Sequence, residues 1–354
     1  MNILLKVFFA LIVIFKTDGA FSYELDLESK LNATSGEPIY DDTETIKGKG
    51  KPIHENLIVA SVLKANLPNY TYQEKLNLIK ELVIGVRWND DPLYMFQEHL
   101  AVGALSFWHS CEDDISKKIN EKWDLFYRSH CGDMQFLHAM ASKEYERAKI
   151  TYAKMISWLE FTYKTATGSM SSDLRFRSVD YRMEPLNAHT FKEIMISKHG
   201  GRSMWNADIM FSFDCTRGAV RRDLECSQLN YNKSKIRNIA LGSLLHILQD
   251  SYSESHTKRN QSGNITTFGV YSTQNKSKHS EKDTEFFSPF KEHLIDISAK
   301  IIETVVKDRQ LSYKFNETTP LEMDSWSLVQ SRYIDSVIRP LDMYSFPNHL
   351  GLKK

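Results

Sequence analysis

Apolar residues along most of this chain recur at three- and four-residue steps, the spacing that lines one face of an α-helix. Leu57, Ile58, Val62 and Ala65 follow this rhythm, as do Leu76, Ile79, Leu82 and Val83. Stretches with the same period run roughly through 134–145, 146–165, 235–250, 291–307 and 326–339. Gly168, the pair Gly200-Gly201 and a region at 257–278 rich in Ser, Thr, Asn and Gly punctuate them. Alternation with a period of two is scarce. No internal repeat is visible, and no linker after residue 50 divides the chain. The pattern predicts an all-α protein, a single helical domain over residues 51–354.

The first residues read differently. Lys6 precedes the apolar run Val7 to Phe15, and the small residues Ala20 and Ser22 flank Phe21. A positive start, a short apolar core and a small-x-small end predict a signal peptide over 1–22. An uncleaved anchor is the alternative, but the run is shorter than the roughly 20 residues that a membrane helix needs. Residues 23–50 are polar and aperiodic and read as an arm or propeptide. The expectation is a secreted protein, extracellular or periplasmic, and a monomer.

Composition narrows the function classes. Apolar residues make up 42% of the chain, enough for a sizeable core, and the formal net charge is zero. A neutral chain offers no broad attraction to nucleic acid or anionic lipid, so no stable nucleic-acid partner is expected. Four cysteines, Cys111, Cys131, Cys215 and Cys226, suit up to two disulfides in an oxidising compartment. Cys215 and Cys226 bracket a short charged segment and form the preferred pair. No C-x-x-C spacing supports a thiolate zinc site, and no G-x-S-x-G or phosphate-cradling G-x4-G-K-[ST] is present. Asn32 and Asn264 are among seven Asn-x-Ser/Thr sequons, which matter only in a eukaryotic secretory pathway.

The chemistry concentrates near residue 250. His246 and Asp250 end an apolar helix, and residues four apart share a helical face. One zinc ion can bind both at about 2.0–2.2 Å. The polar run Ser251 to Ser255 can end the helix and return His256 to the same cavity. His279 and Asp283 repeat the His-x3-Asp spacing. A single such pair on a helix is ordinarily a surface hydrogen bond, and His279 alone reads as a solvated loop residue. Together they supply nitrogen and oxygen ligands without cysteine, a set that suits a catalytic zinc site with open positions.

His246-x3-Asp250-x5-His256 with a later His279-x3-Asp283 resembles the zinc-ligand pattern of the zinc-dependent phospholipase C superfamily. That superfamily includes bacterial phospholipases C and fungal single-strand-specific nucleases. The resemblance extends upstream to His54 in Ile53-His54-Glu55-Asn56 and to Asp90, five residues after Gly85. It implies a further ligand from the segment 129–138, which His130 fits best; His138 is the rival and His109 a more distant one.

The resemblance implies two to three Zn2+ ions per chain. Asp90, His130, His246 and Asp250 would hold one, and His256, His279 and Asp283 a second. His54 would share a third with Asp250 acting as a bridge. It also assigns Asp90 the catalytic task of orienting or deprotonating the attacking water, with Asp91 as its neighbour. Two features depart from the family. Its third zinc uses an N-terminal Trp, whereas cleavage after Ser22 exposes Tyr23; and Ser253-Glu254 stand where the family has Gln-Pro. The implied activity is a secreted phospholipase C, a phosphodiesterase acting at a membrane or micelle surface. Phe286, Phe287 and Phe290 are candidates for an apolar lip, or else helix-packing core. Trp88 either walls the pocket or belongs to the core. A zinc nuclease and a non-catalytic zinc-stabilised binding protein are the alternatives.

Overall fold

A computed structural model describes residues 53–93, 121–181, 191–192, 195–196, 202–217, 224–274, 279, 282, 291–314 and 325–347. The expected signal peptide and polar arm, Cys111, His109, Asp283 and the Phe286–Phe290 cluster lie outside these residues. Helices dominate, as the periodicity predicts: α1 (Ile53–Lys64), α2 (Tyr72–Asp90), α3 (Glu121–His130), α4 (Ala148–Thr167), α5 (Lys233–Asp250) and α6 (Lys291–Lys314). A final helix, Trp326–Ile338, contains a π-helical stretch at Gln330–Ile334. None of the described helices is long and apolar enough to cross a membrane.

Helix ends follow local chemistry. Thr71 opens α2 with a capping box, its hydroxyl accepting from the Glu74 amide while the Glu74 carboxylate accepts from the Thr71 amide. The Asn232 side chain accepts from the Lys235 amide at the start of α5. Gly168, at φ 82°, closes α4 in the left-handed region that favours glycine.

Two short antiparallel hairpins qualify the all-α expectation: β1 (Phe213–Arg217) with β2 (Leu224–Gln228), and β3 (Thr257–Arg259) with β4 (Ile265–Phe268). Strands of three to five residues are too short to impose a readable alternation. Cys215 and Cys226 face each other across the first hairpin, and both Cys226 and Cys131 are disulfide-bonded. A second difference falls at 134–145, where the period predicts a helix. Only a 3-10 turn forms, at Gln135–His138, because Ala139 takes the left-handed conformation at φ 51° and ends the helical path. Ala141 then bridges to Val270 beside β4.

The centre of the molecule is the crossing of α2 and α5. A Cβ on Gly85 would lie 2.3 Å from the Ile239 carbonyl oxygen, and one on Gly242 would lie 2.3 Å from that of Leu82. Only glycine permits this approach. Beyond it lie the chemically loaded residues: Asp90 five residues after Gly85 at the end of α2, and His246 and Asp250 four and eight residues after Gly242 in the last turns of α5. A buried polar network locks the crossing: the Ser243 hydroxyl donates to Asn89 Oδ1 (2.6 Å) and accepts from Trp158 Nε1 (3.1 Å). Asn89 Nδ2 also donates to the Leu137 carbonyl at 2.9 Å, tying in the turn that carries His138. Trp88 is core, stacked on Trp158 with ring centroids 5.6 Å apart.

Candidate metal centre

Five elements deliver imidazoles and carboxylates to one buried point. His54 comes from the first turn of α1, beside Glu55, whose carboxylate accepts from Arg87 Nε at 2.8 Å and pins α1 to α2. Asp90 ends α2, His138 ends the 3-10 turn, and His246 and Asp250 share one face of α5. Beyond Asp250 the chain coils through Ser253 N–H to Asp250 O (2.9 Å) and His256 N–H to Ser253 O (3.1 Å), which returns His256 to the cluster. The Gly269 amide donates to the His256 carbonyl and the Ala141 amide to that of Gly269, so the hairpin and the loop after His138 are fastened together.

Asp250 is the hub, and its two oxygens face different partners. His54 Nε2 stands 3.3 Å from Oδ1. On the other side His246 Nε2 is 2.9 Å, His138 Nδ1 3.0 Å and His256 Nδ1 3.5 Å from Oδ2. His138 Nδ1 and His246 Nε2 are 3.2 Å apart, and Asp90 Oδ1 is 3.7 Å from His138 Nδ1. A tetrahedral ion holding its ligands at 2.0–2.1 Å spaces them about 3.3 Å apart. The observed separations match that edge length. The described residues contain two metal-competent groups, His54/His246/Asp250 and Asp90/His138/His246, each with its ligand atoms within 4.8 Å of one another and all of it buried.

Protonation favours ligation. Burial drives the His246 imidazole down to about 3, with Asp250 only partly offsetting it, so the ring is neutral and offers a lone pair. Burial alone would raise the Asp250 carboxyl, yet His246, His256 and His138 hold it well below the ordinary carboxylate range. Two carboxylates buried among imidazoles are costly unless positive charge compensates them. His138 Nε2 and His246 Nδ1 are buried without a hydrogen-bond partner, while the other nitrogen of each ring faces Asp250.

The sequence candidates are therefore distributed unequally. His54, Asp90, His246, Asp250 and His256 converge. His279 joins them through His256, with the two Nε2 atoms 3.3 Å apart and the rings stacked. His130 does not join either group. Its Nε2 faces the Asp90 carbonyl oxygen at 2.8 Å and its Nδ1 the Ser129 hydroxyl at 2.9 Å, while His138 takes the place expected of His130. The reason is the same left-handed Ala139 that breaks the expected helix: it leaves His138 as the last residue of a turn aimed inward. Glu254 is peripheral and pairs with Lys282 at 3.2 Å. Asp91 is buried next to Asp90.

Gln249 and Gln274 are residues that ligand spacing gives no reason to single out. Gln249 Oε1 lies 2.5 Å from His54 Nδ1, and Gln274 Oε1 lies 2.8 Å from His279 Nδ1. A metal-binding imidazole ordinarily gives its second nitrogen to such an acceptor, and that general rule is the only sequence-level signal for them. Compared with known proteins, the chain matches no family model, no curated protein and no solved structure.

Proposed function

We propose that this chain is a secreted zinc-dependent phosphodiesterase of the phospholipase C type. The observation that carries the reading is Asp250. One carboxylate oxygen faces His54 and the other faces His138 and His246, the disposition of a carboxylate shared between two ions. His138, His246, Asp90 and Asp250 would hold one zinc, His54 and Asp250 another, and His256 with His279 a further one. The donors are nitrogen and oxygen only, the mixture that suits zinc in hydrolytic sites. Zinc bound there supplies a water of lowered pKa and neutralises charge developing on a phosphate.

The chain's own residues do the rest. The Asp90 carboxylate lies 3.7 Å from His138 Nδ1 and 3.8 Å from His246 Nδ1, placed to orient the attacking water and to take its proton. Water adds to phosphorus, the bond from phosphorus to the glycerol oxygen breaks, and that oxygen leaves protonated as a diacylglycerol hydroxyl. The neutral charge balance favours a phospholipid over a polyanionic strand. A single-strand nuclease is the second reading, favoured by one observation: exposed Tyr344 and Phe346 lie beneath Arg147, an aromatic-cationic group of the kind on which bases stack.

The test is one protein assayed side by side on phosphatidylcholine micelles and single-stranded DNA, before and after chelation and zinc reloading. Release of phosphorylated head group that disappears with the metal is the expected result. Faster, salt-sensitive DNA cleavage promotes the nuclease, and a purified protein without zinc or uptake of zinc ends both readings.

A further inference from the structure

His256 and His279 meet through their Nε2 atoms at 3.3 Å, and what fixes that encounter lies one layer out. Gln274 follows the short 3-10 turn Tyr271–Thr273 and is buried. Its Nε2 donates to the Ser255 carbonyl at 2.9 Å, which leaves Oε1 as the atom 2.8 Å from His279 Nδ1. An amide oxygen only accepts, so His279 Nδ1 carries the proton and its Nε2 carries the lone pair. Ser255 is the residue before His256. One carboxamide therefore spans from the backbone beside the first imidazole to the ring of the second. Tyr271 packs edge-on against His279, its ring centroid 4.9 Å away, and restrains the ring from the side.

We infer that Gln274 is a positioning residue for the second zinc: it selects the His279 tautomer that points a lone pair at the His256 nitrogen and sets the distance between the two ligands. Gln249 stands in a similar relation to His54, but its Nε2 has no hydrogen-bond partner to fix which end of the amide faces the ring. Gln274 has that second anchor, so of the two glutamines it alone fixes the tautomer of the histidine it touches. The inference rests on the zinc reading above for its metal, though not for the tautomer.

The experiment uses 15N-histidine-labelled full-length protein, with the His279 signals identified by their loss in His279→Gln. Nitrogen shifts are read in the chelated protein, and zinc is then titrated back against a competing chelator. Wild type is expected to show His279 protonated at Nδ1. Gln274→Leu should give a mixture of tautomers and a 10- to 100-fold weaker affinity at one zinc per chain, the loss typical of removing such a partner. Gln274→Glu keeps an acceptor for His279 and should restore the tautomer and most of the affinity. Unchanged His279 shifts and unchanged zinc affinity in Gln274→Leu overturn the inference. If wild type takes up no zinc while Gln274→Leu still alters the tautomer, the zinc reading fails and the tautomer selection stands.

Discussion

Replacing Gly242 with Ala tests whether the crossing of α2 and α5 builds the centre. In an isolated helix Gly→Ala stabilises by about 1 kcal/mol. Here the added Cβ meets the Leu82 carbonyl oxygen at 2.3 Å and Gly85 Cα at 2.6 Å. Both are backbone atoms and cannot rotate away, so the helices must part by roughly 1 Å to restore ordinary contact. Overpacking of a tight interior costs about 1–3 kcal/mol, and a clash with backbone belongs at the upper end. The net expectation is a destabilisation of about 2 kcal/mol, a fall in Tm of about 3 °C for a domain of this size. The displacement also separates Asp90 on one helix from His246 and Asp250 on the other. Zinc content by mass spectrometry should therefore drop along with Tm, and Gly85→Ala should behave alike without adding fully to it, since the two sites share one contact. A Gly242→Ala protein as stable as wild type and fully loaded with zinc would refute the reasoning.

Other expectations follow from the same geometry. Asp250→Asn should abolish activity and lower zinc content by more than one ion per chain, measured by elemental analysis; loss of a single ion or none removes its bridging role. His138→Ala should lose an ion, whereas His130→Ala should keep its zinc and lose about 1 kcal/mol from the missing hydrogen bond to the Asp90 carbonyl; the reverse pattern restores His130 as the ligand. The chelated protein should weaken in acid. His246 has a folded pKa of about 3, below that of the unfolded chain, so the unfolded state binds the extra proton and stability falls as pH drops below about 6.5. The loss between pH 7 and pH 5 is about 2 kcal/mol, read by denaturant titration at each pH; a flat profile contradicts the buried neutral ring.

Much of the helical scaffold is readable from period alone, because α1, α2, α4, α5 and α6 each bury an apolar stripe. The pairing of His246 with Asp250 is equally local, since four residues along a helix place two side chains together whatever surrounds them. His138 is not legible in this way. Its place depends on one left-handed alanine, which no hydrophobic rhythm announces, and the 134–145 period predicts a helix instead. Gly85 and Gly242 look like ordinary helix glycines until the two helices meet. The two glutamines acquire meaning only when the histidines they touch are known, because the contacts joining them to their partners are tertiary.

The cluster also says something about when it comes into being. His54 and Gln249, in direct contact, are 195 residues apart in sequence, and the carboxylate next to Gln249 gathers partners from both ends of that span. No fragment cut between them contains the centre, and no early, local collapse can assemble it. On the zinc reading, an ion shared by His54 and Asp250 binds only once the two ends of that span have met, and it stabilises the folded state by mass action. Its uptake would then mark the completion of folding, with the first helix and the central helix in register.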